Sequence, residues 1–154
     1  MFNIILHQPE IPPNTGNIIR LAANTGADLH LVGPLGFTLE DARVRRAGLD
    51  YHEMARVRHY QDWREFRMHN GGMRIWAFTT RAKNEYCRAP FVAADGLLFG
   101  SESRGLPRSL VEEIGESGCL RLPMRPCSRS LNLSNAVAIV LYEALRQNRF
   151  PGLE

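Results

Sequence analysis

Five short, mostly apolar runs recur along this chain: FNIILH at 2–7, LHLV at 29–32, RIWAFT at 74–79, GLLFG at 96–100 and CLRL at 119–122. Runs this brief are too short for core helices, and their lack of alternation means burial on both faces. That is how the strands of a parallel sheet read. A sixth candidate spans Met54–Tyr60. Between the runs lie stretches of helical character. The first starts at a cap on Asn14 or Thr15 and runs to about Asn24, with Gly26 as the stop. Others are Glu40–Ala47, Trp63–Met68, Leu106–Ile114 and Leu133–Asn148. The alternation predicts an α/β fold, a mostly parallel sheet flanked by helices. No linker or repeat divides the 154 residues, so one domain over 1–154 is expected.

No apolar run approaches the roughly 18 residues that a membrane span needs. The opening MFNIILHQPEIPPN has neither the basic segment nor the small-residue cleavage site of a secretory signal. A cytoplasmic protein without membrane contact is expected. Cys87, Cys119 and Cys127 are odd in number and lack C-x-x-C spacing, and the five histidines are scattered. Neither a disulfide framework nor a metal site is signalled. The formal charge is +3, and Lys83 is the only lysine. Nearly every cation is therefore an arginine fork, suited to phosphates and planar groups. In ARVRRAGLDYH, Arg45 and Arg46 stand close to Tyr51 and His52. Cations beside rings fit an RNA surface; a solvated helix face is the plainer alternative.

From Ala136 to Tyr142 the last helical stretch has almost no polar stripe. A helix apolar all round is buried all round. A chain this short rarely encloses a terminal helix by itself, so a homodimer is expected, with cover by the chain's own loops as the alternative.

Three stretches carry candidate chemistry. In PPNTGNIIRLAANTG (12–26), Ile18, Leu21, Ala22 and Thr25 share one helical face, and Asn17, Arg20 and Asn24 another. One arginine flanked by amides thus projects from the helix after the first strand. That helix starts at the carboxyl edge of the sheet, where open α/β folds bind ligands. A surface arginine is the simpler reading. LLFGSESRGLP (97–107) leaves a strand with Gly100, Glu102 and Gly105 but lacks the middle glycine of a dinucleotide loop. A carboxylate there would repel a pyrophosphate. A nucleoside-like ligand held by this loop should lack phosphates, as S-adenosylmethionine does; an ordinary glycine-rich turn is the alternative. In SRSLNLSNAVAIVLYEALRQ (128–147), five cap formers precede one helix: Ser128, Ser130, Asn132, Ser134 and Asn135. One caps the helix, and the others are expected to line a pocket. Three strand-end loops, 13–17, 100–105 and 128–135, are thus read as rich in small polar residues that let backbone groups approach a ligand.

Taken in order, PxNxGNxxR, LLFGSESRGLP and LRLPMRPCSRSLNLSNAVAIVLYEA resemble the three motifs of the SPOUT superfamily of RNA methyltransferases. The resemblance covers nearly the whole chain. With RRAGLDYH between the first two motifs and no appended RNA-binding domain, the chain is most similar to the branch that methylates the ribose 2′-oxygen of the wobble cytidine or uridine in tRNA. The resemblance implies a SPOUT fold with a C-terminal trefoil knot at about residues 75–150. It implies S-adenosylmethionine as cofactor and no metal. Its partners would be the tRNA anticodon stem-loop and a second copy packed through the first and last helices. By motif, Arg20 is the implied catalytic residue, supported by Asn14, Glu102, Ser130 and Asn132. Gly100, Ser101, Glu102 and Gly105 would form one wall of the cofactor pocket, and Leu122, Met124, Ser130 and Leu131 the other. Phe78 and Thr79 would lie beneath the adenosine, and Arg45, Arg46, His52 and Tyr142 would touch tRNA. A guanidinium keeps its proton at neutral pH. Arg20 is therefore implied as an orienting group, or as a base only if desolvated or paired with a substrate phosphate. A ribosomal RNA 2′-O-methyltransferase and a non-catalytic RNA-binding member of the superfamily are the alternatives.

Overall fold

The computed structural model describes residues 1–39 and 56–154. Its strands are β1 Asn3–His7, β2 Asp28–Val32, β3 Val57–Tyr60, β4 Ile75–Phe78, β5 Asn84–Glu85, β6 Gly96–Phe99 and β7 Cys119–Arg121. They form one sheet in the order β3-β2-β1-β6-β4-β7-β5. Every pairing among these strands is parallel. The helices are α1 Pro12–Thr25, α2 Trp63–His69, α3 Arg108–Ile114 and α4 Leu133–Gln147. The two-residue edge strand β5 has no sequence signal. The expected helix at Glu40–Ala47 and the start of the expected strand at Met54 lie outside the described residues.

The short apolar runs are buried on both faces, for the reason their composition predicts. Ile4, Leu6, Leu29, Leu31, Leu97 and Phe99 face α1 and α4 in one core cluster. Ile5, Leu98, Ile75 and Ala77 turn to the other side, where Phe66 of α2 and Val111 and Ile114 of α3 cover them. The period-2 alternation of a strand thus feeds two cores rather than one core and solvent.

One expectation fails here, and so does one of the alternatives, the cover of the last helix by the chain's own loops. The first helix is not capped by Asn14 or Thr15. It begins at Pro12, with Ile11 in the capping position and no side-chain cap of its own. Pro12 and Pro13 have no N–H to satisfy, so they suit a first turn, whose N–H groups lack helical partners. Residues 13–17 are consequently helix, not loop. The last helix is not buried all round within the chain. Val137, Val140, Leu141, Ala144 and Leu145 are buried, but Ile139 is 41% exposed and Tyr142 48%. Sequence alone cannot tell which stripe of an all-apolar helix the rest of the fold will cover.

One polar side chain sits deep in the sheet. His30 is 1% exposed; its Nδ1 meets the Tyr60 hydroxyl at 3.1 Å and its Nε2 meets Asn3 Oδ1 at 3.0 Å. Burial pushes the His30 imidazole down to about 4, helped by the nearby charge of Arg58 and opposed by Asp28. The unfolded chain titrates His30 near 6.5, so between 6.5 and 4 the unfolded state binds the extra proton. The contribution of neutral His30 is complete above 6.5 and is lost as the pH falls to 4. The loss is about 3 kcal/mol. Urea midpoints measured from pH 7 to pH 4 should fall for the native protein and fall distinctly less for His30→Gln.

Candidate active site

Because the strands are parallel, all their carboxyl ends lie on one edge. Neighbouring strands β1, β6, β4 and β7 deliver to that edge the start of α1, the 100–105 loop, Phe78–Thr79 and the 122–132 segment. Phe78 and Phe99 close the sheet beneath them, stacked at 4.7 Å between centroids and 12° between planes.

A chain of hydrogen bonds ties three of these segments together. The Glu102 carboxylate accepts from the backbone N–H of Glu10 at 2.8 Å and of Ile11 at 3.1 Å, and from Asn14 Nδ2 at 3.0 Å. Asn14 Oδ1 accepts from Asn132 Nδ2 at 3.0 Å. Asn132 Oδ1 in turn accepts from the N–H groups of Ser134 and Asn135 and from the Ser134 hydroxyl. Each amide orientation is forced. A carboxylate only accepts, so Asn14 must present its NH2 there, and backbone N–H groups only donate, so Asn132 must present its oxygen to them. Glu102 is therefore the missing cap of α1, supplied from a loop 92 residues away. Its charge also faces the positive end of the helix dipole. Asn132 caps α4 and at the same time links it to α1.

The 100–105 loop is a tight return. Gly105 N–H donates to Ser101 O at 2.9 Å, and the two residues form an isolated antiparallel bridge. Gly105 has φ +68°, which favours glycine. Gly100 is required for a different reason. A Cβ there would lie 2.1 Å from the Gly105 carbonyl carbon and 2.2 Å from the Leu106 nitrogen.

The SpoU rRNA Methylase family model matches residues 1–142. The chain belongs to this family. A tRNA (cytidine(34)-2′-O)-methyltransferase from Burkholderia cenocepacia is 56% identical over 154 residues, covering 99% of each chain. A structure solved for insight into the 2-OH methylation of C/U34 on tRNA is 42% identical, with a TM-score of 0.87 over 97% of this chain and 91% of that one. An AdoMet-bound rRNA methyltransferase from Sinorhizobium meliloti is 28% identical, with a TM-score of 0.78, and covers 94% of this chain and 56% of that one.

Against this SpoU background, the predicted residues fall into groups. Asn14, Glu102 and Asn132 are in direct contact. Arg20 is half-buried further along α1. Phe78 and Thr79 end β4, and the Thr79 N–H donates to Leu120 O on β7 at 3.0 Å. Leu122 and Met124 are half-buried after β7, while Ser130 and Leu131 are exposed. Tyr142 lies more than two turns into α4, on its exposed stripe beside Ile139. Arg45, Arg46 and His52 lie outside the described residues. Glu10 was missed by sequence reasoning: its carboxylate accepts from the Ser103 N–H at 3.0 Å and the Ser103 hydroxyl at 2.8 Å. No local pattern pairs position 10 with position 103. Among the described residues no cluster of His, Cys, Asp or Glu could hold a metal, and no helix is long and apolar enough to cross a membrane.

Proposed function

We propose that the chain is an S-adenosylmethionine-dependent methyltransferase that modifies the ribose 2′-oxygen of the wobble cytidine or uridine in the tRNA anticodon loop. The observation that carries this reading is the Glu102–Asn14–Asn132 chain. It holds the Arg20 helix against two strand-end loops at one edge of the sheet. The full-length similarity to a relative of that name gives the substrate, and the AdoMet-bound neighbour supports the cofactor.

The residues at this edge suit that group. Leu131 is 40% exposed, and Leu122 and Met124 are half-covered. This is apolar surface of the kind a purine ring would cover. Phe78 and Thr79 would lie beneath it. The backbone of Gly100, Ser101 and Gly105 offers donors and acceptors to a nucleoside, and with Glu102 committed to α1 these fall to the loop's main chain. When bound, S-adenosylmethionine supplies a methyl group on a sulfonium that leaves as a neutral thioether. Arg20 orients the ribose hydroxyl and stabilises the charge that develops on its oxygen. Asn14, Glu102 and Asn132 keep the Arg20 helix in register with the loops, and exposed Ser130 is read as supporting the reacting centre. Arg45, Arg46, His52 and Tyr142 are read as tRNA contacts.

The same reading takes residues 1–154 as one domain, with the stretch from about 75 to 150 as the knotted region. The packing of α4 on α1 and β6 supports the single domain. It also takes the working form as a cytoplasmic homodimer joined through α1 and α4. Exposed Ile11, at the start of α1, and Ile139 of α4 are apolar surface that a second copy would cover. Light scattering on a sizing column should give twice the 17.4 kDa chain mass. Ile139→Asp should shift it toward the single chain; a monomeric native protein would refute the dimer.

The functional test is incubation with total tRNA and radiolabelled S-adenosylmethionine, then nuclease mapping. Label on the 2′-oxygen of nucleotide 34 is expected. Label only in ribosomal RNA would overturn the substrate, and cofactor binding with no RNA labelled would point to a non-catalytic RNA-binding protein.

A further inference from the structure

The two segments that meet at the carboxyl edge exchange carboxylates. Glu102 of the 100–105 loop binds the backbone N–H groups of Glu10 and Ile11. In return, Glu10 binds the backbone N–H and the hydroxyl of Ser103. The arrangement resembles a capping box, in which each side chain satisfies the other's backbone donor, but the two halves lie more than 90 residues apart. The two halves differ in what they hold. Glu102 fixes the start of α1. Glu10 fixes the middle of the tight return between Ser101 and Gly105, and Ser103 itself is exposed.

We propose that Glu10 is a positioning residue for methyl transfer, latching the cofactor loop through Ser103 to the segment that begins the Arg20 helix. The proposal rests on the reading of the 100–105 loop as a cofactor wall. Without the latch the turn keeps its Ser101–Gly105 bridge, and its tip is tied to the α1 segment through Glu102 alone. Ser103 is then free to move, and Glu102 holds the helix from a looser base. The carboxylate is the right group for the task. The Ser103 hydroxyl, then the Ser103 backbone N–H, then the charge of Arg104 hold the Glu10 carboxyl below its usual range. It therefore stays an acceptor at both oxygens throughout the neutral range. A loop held in its bound shape before the ligand arrives spends less ordering entropy on binding.

The test uses the full chain and Glu10→Ala, Glu10→Gln, Ser103→Ala and the Glu10→Ala/Ser103→Ala pair. S-adenosylmethionine affinity is read by equilibrium dialysis without RNA. KM and kcat are read with tRNA, and amide hydrogen exchange is followed across Ser101–Gly105. Charge-assisted hydrogen bonds of this kind lead us to expect about a tenfold loss of affinity in Glu10→Ala. The loss should appear in KM for S-adenosylmethionine more than in kcat, with faster exchange at Ser103. Glu10→Gln should recover most of it, because the amide oxygen accepts from the N–H while its NH2 donates to the serine oxygen. The double variant should be no worse than Glu10→Ala alone. Unchanged affinity and exchange in Glu10→Ala would overturn the proposal, as would additive losses in the pair. Should Glu10→Ala fail to fold, Ser103→Ala carries the same test on an exposed residue, with a smaller loss expected. If the native chain bound no S-adenosylmethionine, the functional reading would fall and the cofactor role of Glu10 with it. Exchange at Ser103 would still decide whether the latch exists.

Discussion

Arg20→Ala should lower methyl transfer to tRNA by about two to three orders of magnitude, the usual consequence of removing one donor aimed at developing negative charge. Its affinity for S-adenosylmethionine should stay within about twofold of native. The reason lies in the division of labour at the carboxyl edge. On the proposed reading the cofactor walls are the loops after β6 and β7, whereas Arg20 comes from the middle of α1, beyond the first turn that Glu102 and Asn14 anchor. Arg20→Lys separates charge from shape. An ammonium keeps the positive charge but not the planar fork, so it should recover only a small part of the rate. Dialysis of labelled cofactor and single-turnover kinetics on tRNA together make the test. A parallel fall in cofactor affinity and rate would show that Arg20 builds the pocket instead of acting on the ribose.

Gly100→Ala should be the most damaging small substitution in the 100–105 loop. The added carbon would lie 2.1 Å from the Gly105 carbonyl carbon, 2.2 Å from the Leu106 nitrogen and 2.4 Å from the Gly105 oxygen. These are backbone atoms, so no side-chain rotation relieves the clash. The return between Ser101 and Gly105 must open, which moves Glu102 off the start of α1 and Ser103 off Glu10. A cost of about 3 kcal/mol in stability is expected, the upper range for overpacking, with a loss of cofactor affinity of a hundredfold or more. Urea unfolding and equilibrium dialysis measure the two effects separately. Native affinity in Gly100→Ala would mean that the loop has another shape when loaded, and that its tight return is not what the cofactor meets.

Some of this was open to reading in advance. FNIILH and GLLFG had to be strands buried on both faces, and Asn132 was among the residues expected to cap the last helix. The candidate site was legible as three stretches of small polar residues, although residues 13–17 are helix and not the strand-end loop expected. Other features resisted. Asn14 looked like the cap of α1 because capping residues usually sit beside their helix. Here Pro12 and Pro13 start the helix earlier, and Asn14 became a relay between Glu102 and Asn132. Glu10 carried no signal, because its partner Ser103 is distant in sequence. The last helix was expected to be buried all round with the help of a second copy; which stripe the chain itself leaves open could not be derived from its sequence.

The sequence by itself determined the class of fold, the approximate placement of most strands and helices, and the three stretches from which a site could be built. These follow from local periodicity and turn chemistry, which act over a few residues. Only the tertiary structure decided which residues in those stretches meet. Parallel pairing of β1 with β6 and of β6 with β4 brings segments some 90 residues apart to one edge. Hydrogen bonds then form between whichever donors and acceptors arrive there. A carboxylate in one loop completes a helix that begins in another, and that dependence is written in three-dimensional contact, not in any local pattern.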